Sequence, residues 1–98
     1  MAELKTPEEI EIMTEAGQRL AEILQRLKNE VKAGVATIFF DKLARKLIRE
    51  ARTLPAFLGY QPTASSKPYP AALCVSVNDT VVHGRPSGYI LKEGDVVK

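Results

Sequence analysis

The sequence predicts an α+β fold in which two amphipathic helices cover one face of a small antiparallel sheet. Three observations lead there. Apolar residues recur at spacings of three and four along two stretches between Pro7 and Arg52, as they do on a helix with one buried face. A segment rich in Pro, Gly and Ser then interrupts the pattern, which is the composition of a loop. Beyond it, Leu73, Val75 and Val77 alternate with Cys74 and Ser76, the period of a half-buried strand. With 98 residues, 45% of them hydrophobic and 27% charged, the chain reads as one domain over residues 1–98 with a modest core.

The first helix has a defined start. Thr6 can accept from a backbone N–H in the first turn, Glu9 can return the bond, and Pro7 loses nothing at the first helical position. Glu8, Glu9 and Glu11 suit the positive end of the helix dipole. Its predicted apolar face carries Ile10, Met13, Gly17, Leu20, Leu24, Leu27 and Val31, and Gly34 is the expected left-handed cap. A second helix is predicted from Thr37, with Phe40, Leu43, Ala44, Leu47, Ile48 and Ala51 on one face. It should stop before Pro55, since a proline disfavours helix in the residue it follows. Lys42, Arg45, Lys46, Arg49 and Arg52 make its other face a solvated basic one.

After the loop LGYQPTASSKPYP comes the predicted strand around Leu73 to Val77. Asn78-Asp79 then offers a turn into the β-branched pair Val81-Val82, so a hairpin is expected. The run Asp95-Val96-Val97-Lys98 reads as a further strand just beginning, and the expectation is that the fold continues past it.

Composition excludes several function classes. A net charge of +2 is far from the basic field that binds DNA. Cys74 is the sole cysteine, so no intrachain disulfide can form. The N-terminus is charged from Glu3 and no apolar run is long enough to span a membrane, so the expected location is the cytoplasm. There is no phosphate-binding glycine loop, nucleophile elbow or paired-cysteine zinc spacing. His83 is the single histidine and is followed at once by Gly84; its near-neutral pKa invites a catalytic role, but only with partners. Cys74 could face it across a hairpin, yet Cys74 lies in the apolar run ALCVSV without a cation to activate it, so it reads as a packed small hydrophobe.

Taken in order, KTPEEIEIMTEAG, VKAGV, LGY, YPAALCVSVNDTVVHGRP and LKEGDVVK resemble the N-terminal portion of type I methionine aminopeptidases. The resemblance runs along essentially the whole chain, and SVNDTVVHGRP is its most specific element. It implies half of a pseudo-symmetric pita-bread fold and an enzyme that removes the initiator methionine from new polypeptides. One or two divalent ions, of the Co, Mn, Fe or Zn class, activate water in that family.

What the resemblance implies for single residues is uneven. His83 matches the histidine that hydrogen-bonds substrate beside the scissile bond. Tyr60, Tyr69 and Cys74 match the lining of the methionine side-chain pocket, and Phe57 a neighbouring position. Asn78 and Thr80 match a turn whose carbonyls hold a monovalent cation in some members. The metal ligands, two aspartates, a histidine and two glutamates, are expected beyond Lys98, so no metal ligand is assigned here and Asp95 reads as a turn residue. QPTASSKP is longer than the family's usual link between the two tyrosines, and Val82 stands where cysteine is common.

The chain alone is therefore expected to be inactive without a C-terminal half and prone to self-association through uncovered faces. Two alternatives from other classes are an autonomous half-domain that binds peptide N-termini without cutting them, and a module that docks on the ribosome through the basic helix face.

Overall fold

The structure, a computed structural model, describes residues 2–98. Helix α1 spans Pro7–Asn29 and helix α2 spans Thr37–Glu50. The start of α1 follows from the capping box: Thr6 Oγ1 accepts the Glu9 N–H at 3.1 Å, and Glu9 Oε1 accepts the Thr6 N–H at 3.1 Å. α1 ends earlier than the periodicity predicts, where the Glu30 N–H turns back to the Leu27 carbonyl at 3.0 Å. Gly34 does adopt the left-handed conformation, at φ 93°, but in the link between the helices. Its N–H is spent on the Leu91 carbonyl at 2.8 Å, a bond that a continuing helix could not make.

The core draws on both helices and on coil. Ile23 and Leu27 from α1 meet Phe40, Ala44 and Leu47 from α2, with Val75 and Leu91 closing the far side. α2 thus buries the face its sequence predicts. α1 does not: Ile10, Met13, Leu20 and Leu24 are all more than half exposed. The Arg19 guanidinium ties the two helices by donating to the Ala51 carbonyl at 2.5 Å, where a cation also suits the negative end of α2. The accessible surface is 7672 Å², against about 5,500 Å² for a folded monomer of this mass. The radius of gyration, 15.6 Å, likewise exceeds the roughly 12.6 Å of a compact chain of this length.

The expected small antiparallel sheet is not formed: among the described residues there are two isolated antiparallel bridges, Ala36 with Ile90 and Val77 with Val97, and no strands. The hydrogen bonds explain why pairing stops. Ser76 and Lys98 exchange both backbone bonds, at 2.7 and 2.8 Å, and the Asn78 N–H reaches the Val96 carbonyl at 2.8 Å. There Asn78 turns left-handed, at φ 55°, and its side-chain Oδ1 takes the Val96 N–H at 3.0 Å in place of its own carbonyl. The other bridge is cut short because α2 begins at Thr37, one residue after Ala36. Nor does Val81-Val82 return as a hairpin strand. Both side chains are largely exposed, and the Val75 N–H pairs instead with the Gly84 carbonyl at 2.8 Å.

Candidate functional site

The long segment between Tyr60 and Tyr69 closes on itself. The Tyr69 N–H donates to the Tyr60 carbonyl at 2.8 Å, and the Gly59 N–H donates to the Tyr69 carbonyl at 2.8 Å. Gly59 sits at φ 80°, which a side-chain-bearing residue adopts only with strain. Within the loop, Gln61 Nε2 donates to the Ser66 carbonyl at 2.5 Å. The extra residues therefore loop out, and the two tyrosines that the resemblance assigns to the pocket end up side by side. Tyr60 and Phe57 stand exposed at the rim, one turn apart, with the Tyr60 N–H on the Phe57 carbonyl at 2.9 Å.

Tyr69, Cys74 and His83 come together. The Tyr69 hydroxyl donates to the Leu73 carbonyl at 3.0 Å and lies 3.6 Å from Cys74 Sγ. Cys74 Sγ in turn lies 4.0 Å from His83 Nδ1. Burial, reinforced by the Cys74 hydrogen bond and by the charges of Cys74 and Asp41, pushes the Tyr69 pKa up to about 12, so its hydroxyl stays protonated and able to donate. Tyr69 and Cys74 are half-buried while His83 is exposed. The result is an open wall whose floor is phenol and thiol and whose edge is imidazole.

His83 is held at φ 58°, a left-handed conformation uncommon outside glycine, and the residue after it explains how. The Gly84 N–H donates to Ser76 Oγ at 3.0 Å while its carbonyl accepts from Val75. A Cβ at Gly84 would collide with the Val75 carbonyl oxygen and lie 2.8 Å from Ser76 Cα. Glycine is thus required for space. Ser76, buried at 3% exposure, escapes a reading from composition, although its polar place between two inward valines is a signal.

A second residue missed by pattern reading is Asp41, also 3% exposed. Its carboxylate accepts the Ala72 N–H at 2.7 Å and pairs with Arg45 Nε at 2.9 Å. The basic face of α2 is accordingly not all free, because Arg45 also donates to the Pro70 carbonyl at 2.7 Å.

Asn78 and Thr80 lie at the turn that ends the Ser76–Lys98 pairing. The Asn78 carbonyl accepts Lys98 Nζ at 3.1 Å, and the Thr80 N–H closes on the Val77 carbonyl at 3.1 Å. Asp95 gathers the same turn: it accepts from Asn78 Nδ2 at 3.0 Å, from the Lys92 N–H at 2.9 Å and from the Tyr89 hydroxyl at 2.9 Å. Those donors hold its pKa below the ordinary carboxylate value. A cavity of about 280 Å³ adjoins this turn, with Asn78, Thr80, Gly84, Arg85 and Tyr89 in its lining. Tyr69, Cys74 and His83 do not line it.

Among the described residues no three His, Cys, Asp or Glu side chains converge into a group able to hold a metal ion. The donor set of the described residues therefore does not fit a divalent metal centre.

Comparison with known proteins gives the class first. Metallopeptidase family M24 matches residues 11–98, and the chain belongs to that family. Within it, the methionine aminopeptidase of Aquifex aeolicus is 48% identical over 96 residues, covering 97% of this chain and 37% of that protein. The methionine aminopeptidase of Escherichia coli is 38% identical over 96 residues, covering 96% of this chain and 34% of its own length. Among solved structures, a methionine aminopeptidase from Thermotoga maritima superposes with a TM-score of 0.88 at 38% identity over 99% of this chain and 37% of that one. The enzyme from Rickettsia prowazekii gives 0.89 at 32% identity, again over 99% of this chain and 37% of its own. The chain spans about a third of the length of these relatives.

Proposed function

We propose that this chain, residues 1–98, is the N-terminal half of a pita-bread methionine aminopeptidase, supplying the side-chain pocket and one hydrogen-bond donor while the rest of the enzyme supplies the metal ligands. The observation that carries the reading is the convergence of Tyr69, Cys74 and His83, at 3.6 and 4.0 Å, in a chain of the metallopeptidase family. Aromatic edge and polarisable sulfur suit a thioether side chain. An exposed imidazole at the edge of that floor can donate to the oxygen on which charge develops during peptide hydrolysis, an interaction worth about 3 kcal/mol when preorganised. Phe57 and Tyr60 form the outer rim in this reading, and the Asn78–Thr80 turn holds the segment that carries His83. The residues that would hold a divalent ion are not among the described ones; in a complete enzyme such an ion would supply the water-activating chemistry.

The roughly 2,000 Å² of surface beyond that of a folded monomer supports the view that other protein covers these faces, either the remaining part of the enzyme or a second copy. With new polypeptides carrying a terminal methionine as the proposed substrate class, the cytoplasm is the location this reading expects. The test is hydrolysis of a Met-Gly-Met peptide with added divalent metal, by the chain alone and after mixing with the C-terminal part of a close relative. Activity on mixing alone, lost in His83→Ala, is expected. Activity from the chain alone, or a mixed enzyme indifferent to His83→Ala, overturns the reading.

A further inference from the structure

We propose that Asp41 is a positioning residue for the pocket wall: from α2 its carboxylate, with Arg45, grips Pro70 and Ala72 and so fixes where Tyr69 and Cys74 stand. The inference rests on the proposed function of that wall and adds to it a residue outside the pocket. Asp41 is a carboxylate at 3% exposure, and a buried charge persists only when paired and hydrogen-bonded. Both partners are spent on one short segment. Oδ1 accepts the Ala72 N–H at 2.7 Å, Oδ2 accepts Arg45 Nε at 2.9 Å, and Arg45 Nη2 reaches the Pro70 carbonyl at 2.7 Å. One helical turn, i to i+4, therefore holds the backbone on both sides of Ala71, itself 4% exposed.

The segment needs that grip because no strand pairing supplies it. On either side, the Tyr69 N–H is held by Tyr60 and the Val75 N–H by Gly84. Between them, the hydrogen bonds to the backbone from Pro70 to Cys74 come from Asp41, Arg45 and the Tyr69 hydroxyl. Tyr69 immediately precedes the gripped residues and Cys74 follows two places after Ala72, so a slip of the segment moves the phenol and the thiol together. A pocket wall displaced by about 1 Å loses binding and selectivity steeply.

The test uses the enzyme assembled from this chain and a C-terminal complement, with kcat and KM measured separately on methionyl and leucyl tripeptides. Asp41→Ala is expected to raise KM for the methionyl peptide about tenfold or more and to erode the preference for methionine over leucine, with kcat changed much less. Asp41→Asn keeps an oxygen for the Ala72 N–H but loses the charge facing Arg45, and falls between wild type and Asp41→Ala. A loss of active enzyme with KM and preference unchanged marks Asp41 as merely structural and overturns the proposal. Amide hydrogen exchange is the second readout, and it holds where Asp41→Ala does not fold: Asp41→Asn and Arg45→Met should speed exchange at Ala72 relative to α2, and unchanged exchange there overturns the proposal. An inactive wild-type assembly refutes the proposed function instead, and the Ala72 exchange then decides the grip by itself.

Discussion

Replacing Gly84 by alanine puts the smallest possible side chain where the structure has no room. The added Cβ would meet the carbonyl oxygen of Val75, its carbonyl carbon at 2.9 Å and Ser76 Cα at 2.8 Å. All three are backbone atoms, so no side chain can swing aside. Relief requires moving Gly84 away from Val75 and Ser76, which lengthens the 2.8 Å bond to the Val75 N–H and the 3.0 Å bond to Ser76 Oγ. Overpacking costs about 1–3 kcal/mol and the two hydrogen bonds, lengthened but not broken, lose about 1 kcal/mol together, so a loss of about 2–4 kcal/mol is expected. With a urea m-value of about 1–1.5 kcal/mol/M, the unfolding midpoint should fall by roughly 2 M. Gly88→Ala is the control, because a Cβ there meets nothing within 4 Å; its midpoint should hold or rise slightly. The His83 imidazole resonances should shift in Gly84→Ala and not in Gly88→Ala. Equal midpoints for the two variants would refute the close approach on which the placement of His83 depends.

Three further outcomes are expected. Thr6→Ala removes one arm of the capping box and should cost about 1 kcal/mol, read as lower helicity at the start of α1 and an earlier thermal transition. Asn78→Gly keeps the left-handed backbone but deletes the side-chain bonds to Asp95 and Val96, whereas Asn78→Ala loses both the bonds and the conformation. The urea midpoint should therefore fall in the order wild type, glycine, alanine. Stability should also decline at alkaline pH because of Tyr69. Its folded pKa, about 12, lies above the unfolded 10.0, so the native chain holds the proton more tightly. That contribution is complete below pH 10 and is lost as pH rises through 12. Unfolding followed across this window should show the decline in wild type and a smaller one in Tyr69→Phe.

Much of the helical part is legible from residues alone because its signals are local. The Thr6–Glu9 box, the apolar face of α2 and the stop before Pro55 each depend on neighbours within one turn. The failures share a cause at longer range. Gly34 supplies a left-handed residue, but its N–H partner, Leu91, is far along the chain, so periodicity carried α1 too far. The alternation at Leu73 to Val77 reports burial on one side and says nothing of whether a partner strand is long enough to pair; the Asn78 side chain ends that pairing. In the candidate site, His83 and the tyrosines are assigned through the family resemblance. Asp41 is not, since a carboxylate on a helix reads as solvated until its partners at Ala72 and Arg45 are known. The α1 stripe of Ile10, Met13, Leu20 and Leu24 reads as core by its spacing and is exposed in this chain.

The closed loop between Tyr60 and Tyr69 separates the size of the rim from the shape of the floor. Because the backbone bonds at its base fix the two tyrosines, residues can be added or removed beyond them at little thermodynamic cost, about 0.6 kcal/mol for each doubling of length. Selection can therefore vary the outer loop, which under the proposed function a substrate's later residues would pass, while the floor proposed to receive its first side chain stays constant.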